Sequence, residues 1–284
     1  MYIEPDKVKS SITDEDMSAY KKCVLNILID FDKFLKNNGI RYSLDGGTLL
    51  GAIRHSGFIP WDDDIDIAMS REEFSKLLRV VDNFNSDIYE VVKPLDDSPI
   101  AVPRLIKIYD KRTCIKEYGE KYYTGAFIDV FSRIDVSSNE RKERESNYYR
   151  LLTSLLMFKN DRHESGTYKT KSGKIMKMLS VFFTKEMLKK RIQAQYDKVC
   201  DSDLCFSSFG TNKYFKKSFM DEFIECKFEG RTFPIIKEYH EFLTSLYGDY
   251  MQLPPVDKRN PHHLEYLDLK ESYINKNKIS FGGK

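Results

Sequence analysis

The sequence predicts an α+β fold, a mixed β-sheet flanked by helices and followed by a largely helical C-terminal region. Three observations predict it. Met17, Tyr20, Val24, Ile27, Phe31, Phe34 and Leu35 recur at spacings of three and four, the period of one helix face. Short apolar runs at 40–44, 65–69, 88–92, 105–109 and 127–131 lie too close together for a helical crossover between every pair, so some neighbours must be antiparallel. From Ser137 onward, long charged segments compatible with helices replace those runs.

In order along the chain, Thr13 and Asp16 can cap the first helix and Gly39 ends it. Ile40 to Leu44 alternates like a strand until Asp45, Gly46, Gly47 and Thr48 break the pattern, and a brief helix follows. Ile65 to Met69 reads as the next strand. Ser70 and Glu73 then form a capping box for a helix carrying Phe74, Leu77, Leu78 and Val81. The change of character near Asp135 divides the chain into a core, 1–136, and a mostly helical region, 137–284. The end is rich in turns, at Leu253-Pro254-Pro255 and Phe281-Gly282-Gly283.

Composition narrows the function classes. With 284 residues, 41% of them hydrophobic and 32% charged, the chain buries an ample core and is neither disordered nor fibrous. Its 46 basic and 44 acidic residues nearly cancel, so there is no global field to gather nucleic acid. Five cysteines without a Cys-x-x-Cys pair suit a reducing compartment. No stretch approaches the roughly 20 apolar residues of a membrane span. These features lead to the expectation of a cytoplasmic protein, either free or at the inner face of the membrane.

The chemistry concentrates at Asp62-Asp63-Asp64-Ile65-Asp66. Side chains alternate along a strand, so Asp64 and Asp66 share one face while Ile65 and Ile67 enter the core. Two carboxylates held that close repel one another unless a divalent cation neutralises both, and an all-oxygen site suits Mg²⁺ or Mn²⁺. A solvated acidic edge is the bland alternative, but the interleaved isoleucines and Trp61 argue for a buried strand. An EF-hand register also fits Asp62, Asp64, Asp66 and Glu73, yet Ile67 stands where that loop needs glycine. Gly46, Gly47 and Thr48 open a helix where backbone N–H groups can approach a phosphate. Asp129, alone among Phe127, Ile128, Val130 and Phe131, needs a cation or a donor network and is the third candidate carboxylate.

The segment 44–67, LDGGTLLGAIRHSGFIPWDDDIDI, closely resembles the signature of the LicD phosphotransferase family, itself related to fukutin and fukutin-related protein. The resemblance implies a nucleotidyltransferase-like core of the polymerase-β type. Gly46 and Gly47 match its glycine turn, Asp64 and Asp66 its paired acids, and Asp129 its later acid. Similarity resumes at Tyr247-Gly248-Asp249-Tyr250 and at Pro254, Pro255, Lys258, Arg259, His262 and His263, and is looser over 137–236. Where such families read FIDIFPLD, residues 127–135 read FIDVFSRID; the departures at Ser132 and Arg133 are expected to alter the rim.

The resemblance implies transfer of a phospho-alcohol, foremost phosphocholine from CDP-choline, to a sugar hydroxyl of a cell-surface glycan or teichoic-acid precursor, with release of CMP. CDP-glycerol and CDP-ribitol are the alternative donors, and the acceptor can be free or lipid-linked. In this reading Asp64, Asp66 and Asp129 hold the metal, and Asp129 also orients or deprotonates the acceptor hydroxyl. Gly46, Gly47 and Thr48 contact phosphate, with Arg54 and Lys107 as further phosphate partners. His55, His262 and His263 invite a metal or acid–base role but read better as solvent-facing or hydrogen-bonded structural histidines, and stay outside the catalytic set. Lys258 and Arg259 can grip an anionic acceptor or simply face solvent.

Two rival functions remain at this stage: nucleotidyl transfer to a small acceptor with release of pyrophosphate, and a non-catalytic scaffold that kept the fold. The region 169–191 mixes Lys169, Lys171, Lys174, Lys177, Lys185, Lys189, Lys190 and Arg191 with Ile175, Met176, Met178, Leu179, Val181, Phe182 and Phe183. Such a segment can lie on an anionic bilayer, or pack its apolar run on the core with lysines outward.

Overall fold

The structure, a computed structural model, describes residues 12–160, 171–208, 213–259 and 263–280. Lys169, His262 and the Phe281-Gly282-Gly283 turn singled out above lie outside them.

The first helix, α1 (Asp14–Asn37), forms as its pattern predicts. Thr13 and Asp16 make a reciprocal capping box, and Tyr20, Val24, Ile27, Leu28, Phe31 and Leu35 are buried. Strand β1 is only Ser43–Leu44, shorter than the predicted run, because Asp45 turns at once into helix α2 (Gly46–His55). Strand β2 (Asp66–Met69) and helix α3 (Arg71–Val80) follow. Half of the second capping box forms: the Ser70 hydroxyl accepts from the Glu73 N–H. The Glu73 carboxylate turns instead to the Arg41 backbone N–H at 3.1 Å and Lys76 at 3.0 Å.

Strands β3 (Tyr89–Val92), β4 (Leu105–Asp110), β5 (Cys114–Glu117) and β6 (Phe127–Asp135) complete the first half. The main sheet runs β1-β2-β6-β4-β3, with β2 and β6 parallel and the other pairs antiparallel, so it is mixed as expected. Helix α1 packs on β4 and β6, and α3 on β2 and β6. Ile65, Ile67, Ile106, Ile108, Ile128 and Val130 supply the sheet's share of the core.

Beyond residue 136 the chain is less purely helical than its composition suggests. Helices α4 (Lys142–Asn160), α5 (Lys171–Ser180), α6 (Lys185–Tyr196), α7 (Tyr239–Tyr247) and α8 (Tyr273–Ser280) are present. So are strands β7 (Leu204–Ser207), β8 (Tyr214–Lys216), β9 (Phe223–Phe228), β10 (Arg231–Ile236) and β11 (Leu264–Asp268). β7 pairs antiparallel with Arg133, Ile134 and Asp135 of β6, and β11 pairs with β5. One hydrophobic cluster reaches from Tyr20 to Tyr273. Helices and strands therefore occur on both sides of 136/137, and the two sides share a sheet and a core.

Candidate active site

The predicted acids converge where three neighbouring strands meet. Asp66 on β2 is the register partner of Asp129 on β6, and Asp129 is the register partner of Lys107 on β4. Paired residues project to the same face, so the three make one row across the sheet. Asp64 lies in the extended stretch leading into β2, and Asp129 N–H donates to the Ile65 carbonyl at 2.9 Å, which ties that stretch to β6. Ile65 and Ile67 are fully buried, as the alternation requires.

The glycine turn is fastened to the acidic strand at two points. Asp45 N–H donates to the Asp66 carbonyl at 2.9 Å, and the Asp66 N–H donates to the Thr48 hydroxyl at 2.9 Å. Thr48 is thus a buried brace for the backbone of Asp66. A Cβ on Gly46, which sits at φ +51°, would stand 3.0 Å from Asp66 Oδ2, and one on Gly47 would overlap Asp62 Oδ2. The start of α2 therefore abuts two carboxylates with no room for a side chain. Gly47→Ala should push Asp62 out of the cluster and lower turnover about tenfold or more with little loss of folding, checked by kcat and a melting curve.

Asp45 occupies the N-cap position of α2 without capping it. Its carboxylate accepts instead from Arg133 Nη2 at 2.7 Å, and both side chains are buried. Arg133 also lies over the rings of Phe215 and Phe242, 5.2 and 5.3 Å from their centroids. The sequence departure at Arg133 is therefore not a change of rim. Ser132 is also fully buried, because β7 covers this end of β6.

Electrostatics follow from the crowding. Burial and then the charges of Asp62, Asp63 and Asp129 hold the Asp64 carboxyl well above the usual range; burial and then Asp64, Asp129 and Asp45 do the same to Asp66. Burial raises Asp62 as well. Among the described residues no basic side chain is ion-paired with Asp64 or Asp66. Asp129 differs, because Lys107 Nζ sits 3.0 Å from its Oδ1 and 3.2 Å from the Phe127 ring centroid. Among the described residues no three His, Cys, Asp or Glu side chains stand in ligating geometry. The donor chemistry nonetheless fits a hard divalent cation, since Asp62, Asp64 and Asp66 are oxygen donors whose mutual repulsion a cation would relieve.

Other residues close the rim. Asp63, adjacent to the row but buried, accepts from the His263 backbone N–H at 3.0 Å, with the His263 ring Nδ1 3.4 Å from its other oxygen. That contact pushes the imidazole up to about 9. Arg259 lies 4.9 Å over the Trp61 ring. Arg54 donates to the Tyr250 carbonyl at 2.8 Å and to His55 at 3.0 Å. Burial, and then the nearby Arg259 charge, lower its pKa. After burial, the charges of Asp45, Asp66, Asp62 and Asp64 raise the Tyr247 phenol.

Sequence reasoning missed Asp45, Asp62 and Arg133. Two had a readable signal, since Asp62 shares the parity of Asp64 and Asp66, and Arg133 shares that of Asp129. Asp45 had none.

Residues 39–95 match the family model described as LicD/FKTN/FKRP, nucleotidyltransferase domain. Over 259 residues the chain is 36% identical to the lipopolysaccharide cholinephosphotransferase LicD of Haemophilus influenzae, covering 88% of this chain and 95% of that protein. The chain belongs to the LicD family. This LicD-family chain is a transferase, with an α+β nucleotidyltransferase-like fold. A stretch of 39 residues is 51% identical to the ribitol 5-phosphate transferase FKRP of Homo sapiens, 14% of this chain and 8% of that one. An uncharacterised protein of Rickettsia prowazekii is 36% identical over 87 residues, 28% of this chain and 33% of its own. No helix among the described residues is long and apolar enough to cross a membrane.

Proposed function

We propose that this chain transfers phosphocholine from CDP-choline to a sugar hydroxyl of a cell-surface glycan, with release of CMP. The observation that carries the reading is the row Asp66, Asp129 and Lys107 set against the uncapped start of α2, in a chain whose similarity to a cholinephosphotransferase runs almost end to end. Phosphoryl transfer asks a protein chiefly for positioning and charge neutralisation, and those are the parts assembled here.

Asp64 and Asp66 would hold Mg²⁺ or Mn²⁺, with Asp129 and the newly placed Asp62 as further oxygen donors. Bound there, the ion would neutralise the diphosphate and the charge that grows on the departing CMP oxygen. The first-turn N–H groups of α2 would face a phosphate oxygen, and the neighbouring guanidiniums of Arg54 and Arg259 supply positive charge at the rim. The acceptor oxygen attacks the phosphorus that carries choline, the bond from that phosphorus to the CMP oxygen breaks, and the hydroxyl proton passes to Asp129. Lys107, 3.0 Å from Asp129 Oδ1, would keep that carboxylate oriented for the role. Trp61 and Tyr247 offer aromatic surface to a quaternary ammonium.

The test is to incubate purified protein and Mg²⁺ separately with CDP-choline, CDP-glycerol and CDP-ribitol plus candidate glycans, and to follow CMP. CDP-choline is expected to release CMP together with a phosphocholine-bearing glycan. Turnover with CDP-ribitol alone would move the donor toward the chemistry named for FKRP. Pyrophosphate release from CTP with no CMP would replace the reading with nucleotidyl transfer.

A further inference from the structure

An amphipathic helix in a globular protein ordinarily turns its apolar stripe inward. Helix α5 does the reverse. Its inner positions are Gly173, Met176 and Ser180, of which Gly173 and Ser180 are buried and Met176 half-buried. The outer stripe is Ile175, Met178 and Leu179, at the i, i+3, i+4 spacing of one helix face, with relative exposures of 53, 61 and 36%, and Phe182, 75% exposed, follows in the turn just beyond Ser180. Val181, 74% exposed, stands beside Phe182 at the turn into α6, and Met187 adds a further exposed apolar side chain.

The turn is a built element. Val181, Phe182 and Phe183 each donate a backbone hydrogen bond to the residue three before, and the Thr184 hydroxyl caps α6 by accepting from Met187 N–H. Phe183 and Met176 pack against the core and anchor the knuckle, which leaves Val181 and Phe182 at its tip. Of the two readings open at the level of sequence, inward packing thus holds for only those two side chains of the run.

Charge decides the occupant. Residues 171–196 contain seven basic side chains and one acid, Glu186, in a chain whose formal charge is only +2. Lys174 and Lys177 on α5 and Lys190 and Arg191 on α6 are exposed, Arg191 lying 5.8 Å over the Phe183 ring, while Lys189 is paired with Asp97. A second copy meeting this face across a two-fold axis would set lysines against lysines. An anionic bilayer neutralises them and takes the apolar tip below its headgroups. We propose that the α5–α6 knuckle docks this protein on an anionic membrane surface through Val181 and Phe182, with the surrounding lysines on lipid phosphates.

Flotation of the full chain with vesicles tests this. The wild type should float with vesicles of phosphatidylcholine containing about one-third phosphatidylglycerol, stay behind with pure phosphatidylcholine, and dissociate in part at high salt. Val181→Asp/Phe182→Asp should lower the bound fraction about tenfold. Lys174→Glu/Lys177→Glu, which alters only exposed charge and guards against misfolding of the first variant, should lower it by a similar factor. Both variants should keep wild-type turnover on soluble substrates. Absence of wild-type flotation, or flotation unchanged in both variants, overturns the proposal. So does a wild-type dimer in sedimentation that Val181→Asp/Phe182→Asp converts to monomer without any vesicle binding.

Discussion

Asp66→Asn is expected to abolish turnover and, in metal-free protein, to raise the melting temperature. The first effect follows from its place in the row with Asp129 and Lys107, where it is both a proposed metal ligand and the carboxylate against which Gly46 is packed. Loss of about a thousandfold or more in kcat is the scale for removing a fixed electrostatic partner of a transferring phosphoryl group. The second effect has a definite sign. The folded state holds the Asp66 proton more tightly than the unfolded state, whose value is near 3.8. The group therefore favours folding most below about pH 4, and that contribution is lost as pH rises through the raised folded value. At neutral pH the buried carboxyl therefore costs the folded state free energy that the amide does not, while the Asp66 backbone bond to Thr48 is untouched. Melting curves from pH 4 to 8 should show the variant gaining on the wild type as pH increases. Mg²⁺ should stabilise the wild type and have little effect on the variant. Turnover within tenfold of wild type, or a variant less stable at every pH, would sink the assignment.

Arg133→Met should destabilise the protein by about 3–5 kcal/mol, the usual cost of removing one member of a buried ion pair. Arg133 is 4% exposed and Asp45 7%, and their 2.7 Å bond is the ion pair that holds the Asp45 carboxylate. Without it, a buried carboxylate stands unneutralised beside Asp66, and the rings of Phe215 and Phe242 lose the guanidinium they flank. Arg133→Met/Asp45→Asn should recover a good part of the loss, since it removes the stranded charge. Urea unfolding of the two variants and the wild type gives the comparison. A single-variant cost under about 1 kcal/mol would mean that Asp45 finds another partner.

The parts of this molecule that could be read from its sequence are those whose cause is local. The capping box of Thr13 and Asp16, the period of α1 and the buried phase of Ile65 and Ile67 each depend on neighbours a few residues away. Asp129 could be read because a lone acid in FIDVF conflicts with its own surroundings. The strands from β7 to β10 left weaker marks: LCFS and YFK are short, and RTFPII carries Pro234. The contact between Asp45 and Arg133 could not be read even though Arg133 shares the parity of Asp129, because the partners are 88 residues apart and only the parallel pairing of β2 with β6 brings them together. The half-made capping box at Ser70 has the same cause: Glu73 is diverted to Arg41, a contact from outside its helix.

The pairing of β2 with β6 also makes the acidic site a long-range product of the fold. Residues 39–95, the span by which the family is recognised, hold the glycine turn and the acidic stretch but neither Lys107 nor Asp129. While the chain is being synthesised, β2 emerges with its parallel partner still about 60 residues away and not yet made. Asp62, Asp64 and Asp66 meet Asp129 and Lys107 only when β6 lies between β2 and β4, so the candidate site needs a long-range pairing that its most recognisable fragment does not contain.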